Sequence, residues 1–109
     1  MIMSYRNLDL SLLRTFSTVV ESGSVTASAR RLNVSQPAVS QQLRRLEELV
    51  QKPLFKAIRR PSDLTSEGEI LLGYCRAILR LNDEALSRFA RPEVTGRIVL
   101  GSPDLYASF

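Results

Sequence analysis

Apolar side chains recur at three- and four-residue steps along the first fifty residues, which is the spacing of one helix face. The first stretch predicts a helix over about residues 10–22, with Asp9 as its N-cap and Gly23 able to take the left-handed conformation at its end. A second, shorter helix is predicted to follow Ser24 and to break at Asn33. Two helices joined by a tight turn are therefore expected at the start of the fold.

A third helix is predicted to follow Ser35, because Ser is a good N-cap and Pro37 fits the first turn, where its missing N–H leaves no bond unmade. Lys52 and Pro53 end this helix. Its inward face is apolar and consists of Val39, Leu43, Leu46 and Val50. Its outward face is polar and carries Gln36, Pro37, Ser40, Gln41 and Arg44.

A short basic hairpin is predicted after the third helix. Residues 54–58 are typical of a strand, residues 59–62 of a turn, and Asp63 and Leu64 of a brief returning strand. Pro61 limits strand pairing, so we expect a loose hairpin. Such a hairpin after a helix-turn-helix is a wing, and Arg59 and Arg60 could enter a minor groove or contact phosphates.

A long helix is predicted from Thr65 or Ser66 to about Ala90, with residues 66–69 fitting a capping box. About 25 residues at about 1.5 Å each give nearly 40 Å, more than the preceding helices can cover. We therefore expect a helix from a second subunit to pair with it, although packing wholly on its own domain is the alternative. The apolar stripe assigned to dimerisation consists of Leu71, Tyr74, Cys75, Ile78, Leu81, Ala85 and Phe89.

These patterns predict a mainly α fold. Residues 8–65 form a winged helix-turn-helix of three helices and a short β-hairpin, with the helix-turn-helix itself at 25–44. Residues 66–90 form a linker or dimerisation helix. Residues 91–109 contain a linker and a strand over 96–101, which we interpret as the start of a truncated second domain, because a lone strand cannot make a sheet.

The outward face of the third helix carries side chains suited to DNA. Glutamine can present a paired donor and acceptor to an adenine edge, serine can bond to bases or phosphates, and Pro37 and Ala38 can pack on a thymine methyl group. Arg44 and Arg45 can reach phosphates. The alternative is the ordinary polar surface of an amphipathic helix.

The charge distribution favours a polyanionic partner. Residues 23–61 carry eight Lys or Arg against two acids, a net +6, whereas residues 1–22 are neutral and residues 62–109 carry −2. The single cysteine and the absence of histidine remove Ser-His-Asp and Cys-His catalysis and make a metal site improbable, so no enzymatic role is expected. Without a membrane span or signal peptide, the expected location is the cytoplasm.

Several segments, in their order and spacing over the frame from Leu8 to Gly101, resemble those of the LysR-type transcriptional regulators. The residues that carry the resemblance are 23–29 (GSVTASA), 32–40 (LNVSQPAVS), Leu46-Glu47, 53–55 (PLF), 64–69 (LTSEGE) and 96–101 (GRIVLG). The resemblance implies a dimeric regulator of promoter DNA, with the recognition helix in the major groove and the wing at the adjacent minor groove. The base-reading positions of the family match Ser35, Gln36, Pro37, Ala38, Ser40 and Gln41.

The resemblance also implies partners and an assembly. Thr26 matches a position near the DNA backbone, and Arg60 matches the recurrent wing arginine of the family. The linker helix is expected to pair antiparallel in a homodimer, and the full-length protein to form a tetramer. No cofactor is expected in this chain, and a small-molecule effector would bind a C-terminal domain that this chain lacks. The alternative function is a helical dimerisation or protein-interaction module without specific DNA binding.

Four positions depart from the family pattern. Gln51 stands where a glycine often follows the third helix, which leaves the conformation of the helix exit open. Ala57 replaces a common arginine, and Arg59 occupies a position that is often small and can take over its phosphate contact. Asp63 adds a negative charge to the returning strand, so we expect that strand to face away from phosphate.

Overall fold

The computed structural model describes residues 6–57 and 63–90 of the 109-residue chain. Four helices lie within these residues: α1 (Leu10–Ser22), α2 (Val25–Leu32), α3 (Gln36–Val50) and α4 (Ser66–Phe89). Their order and bounds agree with the helices predicted from the sequence. The mainly α fold of a helix-turn-helix protein is thereby confirmed, while the tip of the predicted wing at residues 58–62 lies outside the described residues.

The first three helices enclose a small apolar core. Val19, Ala29 and Val39, one from each helix, are buried and in contact with one another. Phe55, which follows α3 in the chain, packs against this cluster, and its ring meets that of Phe16 edge to face with 5.7 Å between the ring centroids. This geometry is typical of a favourable aromatic pair. The further buried apolar side chains of this region are Leu12, Leu13, Leu46 and Leu54.

The predicted N-caps are confirmed. The side chains of Asp9, Ser24 and Ser35 each accept a hydrogen bond from a backbone N–H in the first turn of the helix that follows. Each bond satisfies one of the N–H groups that have no partner within the helix. The short sequence signals at these three positions therefore set the start of each helix.

All three short helices end in the left-handed conformation. Gly23 has φ 73°, Asn33 has φ 61° and Gln51 has φ 59°. The backbone N–H of Gln51 donates to the carbonyl of Glu47 at 2.7 Å, which closes the last turn of α3. The exit of α3 thus keeps the geometry that a glycine would adopt, although Gln51 has a Cβ that disfavours it.

A short antiparallel pairing joins the two sides of the predicted hairpin. Phe55 and Leu64 form a β-bridge. The N–H of Lys56 donates to the carbonyl of Asp63 at 2.9 Å, and the N–H of Thr65 donates to the carbonyl of Leu54 at 3.0 Å. Among the described residues the pairing is shorter than the predicted strand over 54–58. The base of a hairpin is therefore present.

Thr65, and not Ser66, is the N-cap of α4. Its hydroxyl oxygen accepts from the N–H of Gly68 at 2.9 Å, and its proton is donated to the carbonyl of Pro53 at 2.7 Å. The hydroxyl of Ser66 instead donates to Glu67 at 3.3 Å, so the capping box predicted over residues 66–69 does not form. The cap at Thr65 prevails because the same residue also pairs with the segment after α3.

The chain divides into two compact units, with the boundary between Arg76 and Ala77. Helix α4 begins in the first unit and ends in the second. In the first unit the thiol of Cys75 is buried and donates to the carbonyl of Leu13 at 3.2 Å. In the described part of the second unit Leu79 is buried. The predicted linker and strand after residue 90 lie outside the described residues.

Candidate nucleic-acid interface

The outward face of α3 is solvent-accessible, as the sequence predicts. The exposed side chains are Gln36, Pro37, Gln41, Arg44 and Arg45, and the half-buried ones are Ala38 and Ser40. On the opposite face Val39 and Leu46 are fully buried, and Leu43 packs against the core cluster. The core therefore determines which side chains α3 presents to a partner.

Ser35 contributes to this surface in two ways. Its hydroxyl oxygen accepts from the N–H of Ala38 at 3.2 Å, and the side chain remains exposed. A hydroxyl can accept and donate at the same time, so the proton of Ser35 remains available for an acceptor on a partner. Capping and recognition are thus compatible at this residue.

The remaining predicted interface residues fall into two groups. Thr26 is exposed in the first turn of α2, where free N–H groups favour an anionic partner. Arg59 and Arg60 lie outside the described residues.

Lys56 is exposed next to the β-bridge and adds a positive charge at the base of the hairpin. Lys56 is not among the interface residues predicted from the sequence, although its place in the basic hairpin is a signal for it.

A polar cleft of about 810 Å³ lies beside α3, between this helix and the segment that precedes α1. The guanidinium of Arg6 donates to the carbonyl of Leu49 at 3.2 Å and so satisfies a carbonyl near the end of α3. The other residues that line the polar cleft include Asp9, Gln41, Gln42, Arg44, Arg45 and Glu48. Arg6 and Gln42 could not be predicted from the sequence, because contacts between distant segments leave no periodic signal.

The polar cleft carries charge of both signs. The pKa of Asp9 lies below its usual range, mainly because the hydroxyl of Ser11 donates a hydrogen bond to the carboxylate. The backbone N–H of Ser11 and, more weakly, the charge of Arg45 lower this pKa further. Asp9 is therefore ionised at neutral pH, and Glu48 lines the same cleft. Among the described residues no group of three His, Cys, Asp or Glu side chains could hold a metal ion.

The stripe assigned to dimerisation separates into buried and exposed members. Leu71 is 8% exposed and Cys75 is fully buried, so neither is available to a partner, and burial raises the pKa of the Cys75 thiol. Tyr74 and Phe89 are 64% and 87% exposed. The accessible stripe also includes Ile70, which the sequence reasoning missed, together with Leu81, Ala85 and, half-buried, Ile78. None of the helices described in this chain is long and apolar enough to span a membrane.

The capped α2, the tight turn at Asn33 and the polar outward face of α3 define a helix-turn-helix protein of the DNA-binding class. Residues 10–69 match the family model of bacterial regulatory helix-turn-helix proteins of the lysR family, and the chain belongs to that family.

Two curated relatives are regulators of the same class. The HTH-type transcriptional regulator DgdR of Burkholderia cepacia is 41% identical over 102 residues, which cover 94% of this chain and 35% of that protein. PecT of Dickeya dadantii is 43% identical over 98 residues, which cover 90% of this chain and 31% of that protein. The chain thus spans about a third of the length of these relatives.

A solved structure gives the same result for the fold. The BenM DNA-binding domain in complex with benA site 1 DNA superposes with a TM-score of 0.71 at 34% identity. The superposition covers 77% of this chain and 98% of that domain. The fold of this chain is therefore that of the DNA-binding part of a LysR-type regulator.

Proposed function

We propose that this chain is the sequence-specific DNA-binding part of a transcriptional regulator, with α3 lying in the major groove of promoter DNA. The observation that carries the proposal is the division of α3 into a fully buried face, at Val39 and Leu46, and an accessible polar face that begins at Gln36. A helix held in this way presents its side chains at fixed positions, as base recognition requires. The BenM domain, which shares the fold, was solved on DNA.

Each residue of the polar face has a role that follows from its chemistry. Gln36 and Gln41 contact base edges, and the hydroxyls of Ser35 and Ser40 bond to bases or phosphates. Further contacts come from Pro37 and Ala38 on thymine methyl groups, from Arg44, Arg45 and Thr26 on the backbone, and from Arg59 and Arg60 of the wing at the adjacent minor groove.

The chain acts as a homodimer through α4. In the first unit Ile70 and Tyr74 are exposed, and in the second Leu81 and Phe89 are exposed, so each unit leaves apolar surface uncovered. The first turn of α4 carries Glu67 and Glu69 and its last turn carries Arg88. Antiparallel pairing of two copies places these opposite charges together, whereas parallel pairing opposes like charges.

The complete protein extends beyond this chain, because the relatives are about three times as long. We place a small-molecule effector in that further part and a tetramer as the full-length assembly. The chain itself holds no catalytic role in this proposal, which assigns it a cytoplasmic location together with the DNA it regulates.

In vitro selection from a random duplex pool tests the proposal. The chain should enrich a sequence and bind it more tightly than random duplex, with affinity that falls steeply as salt rises. Gln36→Ala should reduce the preference for the selected duplex about tenfold, which is the effect of one base contact. Arg44→Ala should weaken both duplexes and lower the salt slope by about 1, whereas Arg80→Ala, an exposed arginine of α4, is the control.

Two results would refute the proposal. If the unmodified chain enriches no sequence, specific recognition is wrong. If its affinity for random duplex is weak and independent of salt, phosphate contacts are absent, and a protein-interaction module becomes the better assignment.

A further inference from the structure

Thr15 places a hydroxyl inside the apolar face of α1. Its side chain is 2% exposed, and its neighbours along that face, Leu12, Phe16 and Val19, are buried apolar residues. A buried hydroxyl without a partner destabilises the fold, so the position of its proton has to be accounted for.

The proton of Thr15 has two acceptors. One is the carbonyl of Ser11 at 3.1 Å, a common partner for threonine within a helix. The other is the side-chain oxygen Oε1 of Gln42, which lies 27 residues further along the chain in α3. The second bond joins the interior of α1 to the recognition helix by side chains alone.

Gln42 lies on α3 at the boundary between its buried face and its outward polar face. It is half-buried, it follows Gln41 directly, and it lines the polar cleft together with Ala38. The buried contacts of Val39 and Leu46 determine which face of α3 is presented, but they are apolar and non-directional, so a directional contact can refine the rotation of the helix by a few degrees. A hydrogen bond is directional and controls that rotation.

We infer that Thr15 and Gln42 are a positioning pair that fixes the rotation of α3 about its own axis. A roll of about 10° moves a side-chain tip about 6 Å from the axis by about 1 Å, which exceeds the tolerance of a precise site. The pair thus controls whether Gln36 and Gln41 reach the correct base edges. The inference rests on the proposed function of α3, and it concerns specificity, because contacts to phosphates tolerate such a shift.

Thr15→Val tests the inference, because it keeps the shape of the side chain and removes the hydroxyl, while Oε1 of Gln42 can turn to water in the polar cleft. The matched control is Thr18→Val, since Thr18 donates only within α1, to the carbonyl of Arg14 at 2.7 Å. Binding to the duplex selected by the unmodified chain and to random duplex is measured by fluorescence anisotropy, at a temperature where every variant is folded.

The expected results separate positioning from stability. Thr15→Val should reduce the ratio of affinities for selected over random duplex by about tenfold, mainly through the selected duplex. Thr15→Ser keeps a hydroxyl, so its affinity ratio should stay within about twofold of that of the unmodified chain. Thr18→Val should leave the affinity ratio unchanged. Gln42→Leu should reproduce the loss, and the double variant Thr15→Val with Gln42→Leu should be no worse than either single change.

Two outcomes would overturn the inference in different ways. If Thr15→Val lowers the melting temperature while the affinity ratio stays within about twofold of the unmodified chain, the bond is only structural. If the unmodified chain itself shows no preference for any duplex, the proposed function fails first and the inference fails with it. Should Thr15→Val not fold, Gln42→Leu alone decides, because its side chain lies at the edge of the core.

Discussion

Gly68 lies where α4 packs closely against the segment after α3. A Cβ at this position would lie 2.2 Å from the carbonyl oxygen of Leu54 and 3.2 Å from the Cβ of Leu64. The same carbonyl accepts the N–H of Thr65 at 3.0 Å, so it cannot move away without weakening that bond. Gly73, one turn and a half further along α4, has nothing within 4 Å of its Cβ position and provides the control.

Gly68→Ala should therefore destabilise the chain, although alanine is the better helix former. Alanine gains about 1 kcal/mol over glycine within a helix. Relief of a carbon–oxygen contact at 2.2 Å needs a shift of about 1 Å, since such contacts normally lie near 3.3 Å. Overpacking of this kind costs about 1–3 kcal/mol, and weakening the bond to Leu54 adds about 1 kcal/mol. The net loss is about 1–3 kcal/mol.

Gly73→Ala should act in the opposite direction, because the gain in helix propensity meets no steric cost. We expect a gain of about 0.5–1 kcal/mol. Urea unfolding followed by circular dichroism measures both variants, and thermal melts should shift by about 4–8 °C for each kcal/mol. If Gly68→Ala proves as stabilising as Gly73→Ala, the close approach at Leu54 is not a constraint and the reasoning is wrong.

Three further outcomes follow from the ends and the interior of the helices. Gln51→Gly should raise the unfolding free energy by about 1 kcal/mol, measured in urea, because φ is 59° there; no gain would contradict the strain argument. Cys75, whose pKa is raised by burial, should react with a thiol reagent only after unfolding; rapid reaction in the folded chain would show that it is accessible. The Asp9 carboxylate has a lowered pKa, so it stabilises the fold above its unfolded-state pKa and loses this effect as the pH falls through its folded-state pKa. Asp9→Asn should therefore flatten the acid side of the curve of stability against pH. An unchanged curve would show that Asp9 does not contribute to the acid dependence of stability.

The starts of the three short helices could be predicted from sequence because their signals are local. Asp9, Ser24 and Ser35 bond to N–H groups two or three residues away, so each cap is contained in a few letters of the sequence. The burial of one face of α3 follows in the same way from the spacing of Val39 and Leu46. Helix starts and helix faces, which depend on residues close together in the sequence, therefore agree with the predictions.

Features set by distant neighbours could not be predicted. The apolar stripe assigned to dimerisation includes Cys75, but its thiol is buried and donates to the carbonyl of Leu13, a residue far away in the sequence. The choice of Thr65 over Ser66 as N-cap depends on the pairing with Pro53, and the bond from Thr15 to α3 also depends on tertiary contact. Periodicity gives the face of a helix, whereas its partner is decided by packing of the whole chain.

The carboxylates of the polar cleft distinguish the two arginines of α3 that are assigned to phosphate. Asp9 stays ionised near neutral pH, because the hydrogen bond from Ser11, with a smaller effect of Arg45, lowers its pKa. Glu48 and three arginines line the same cleft, so a phosphate would meet charges of both signs there. Arg45 is partly balanced by Asp9, whereas Arg44 projects from the outward face. In the proposed complex Arg44 therefore contributes more to phosphate binding than Arg45, because Arg45 is the guanidinium that interacts with the ionised Asp9.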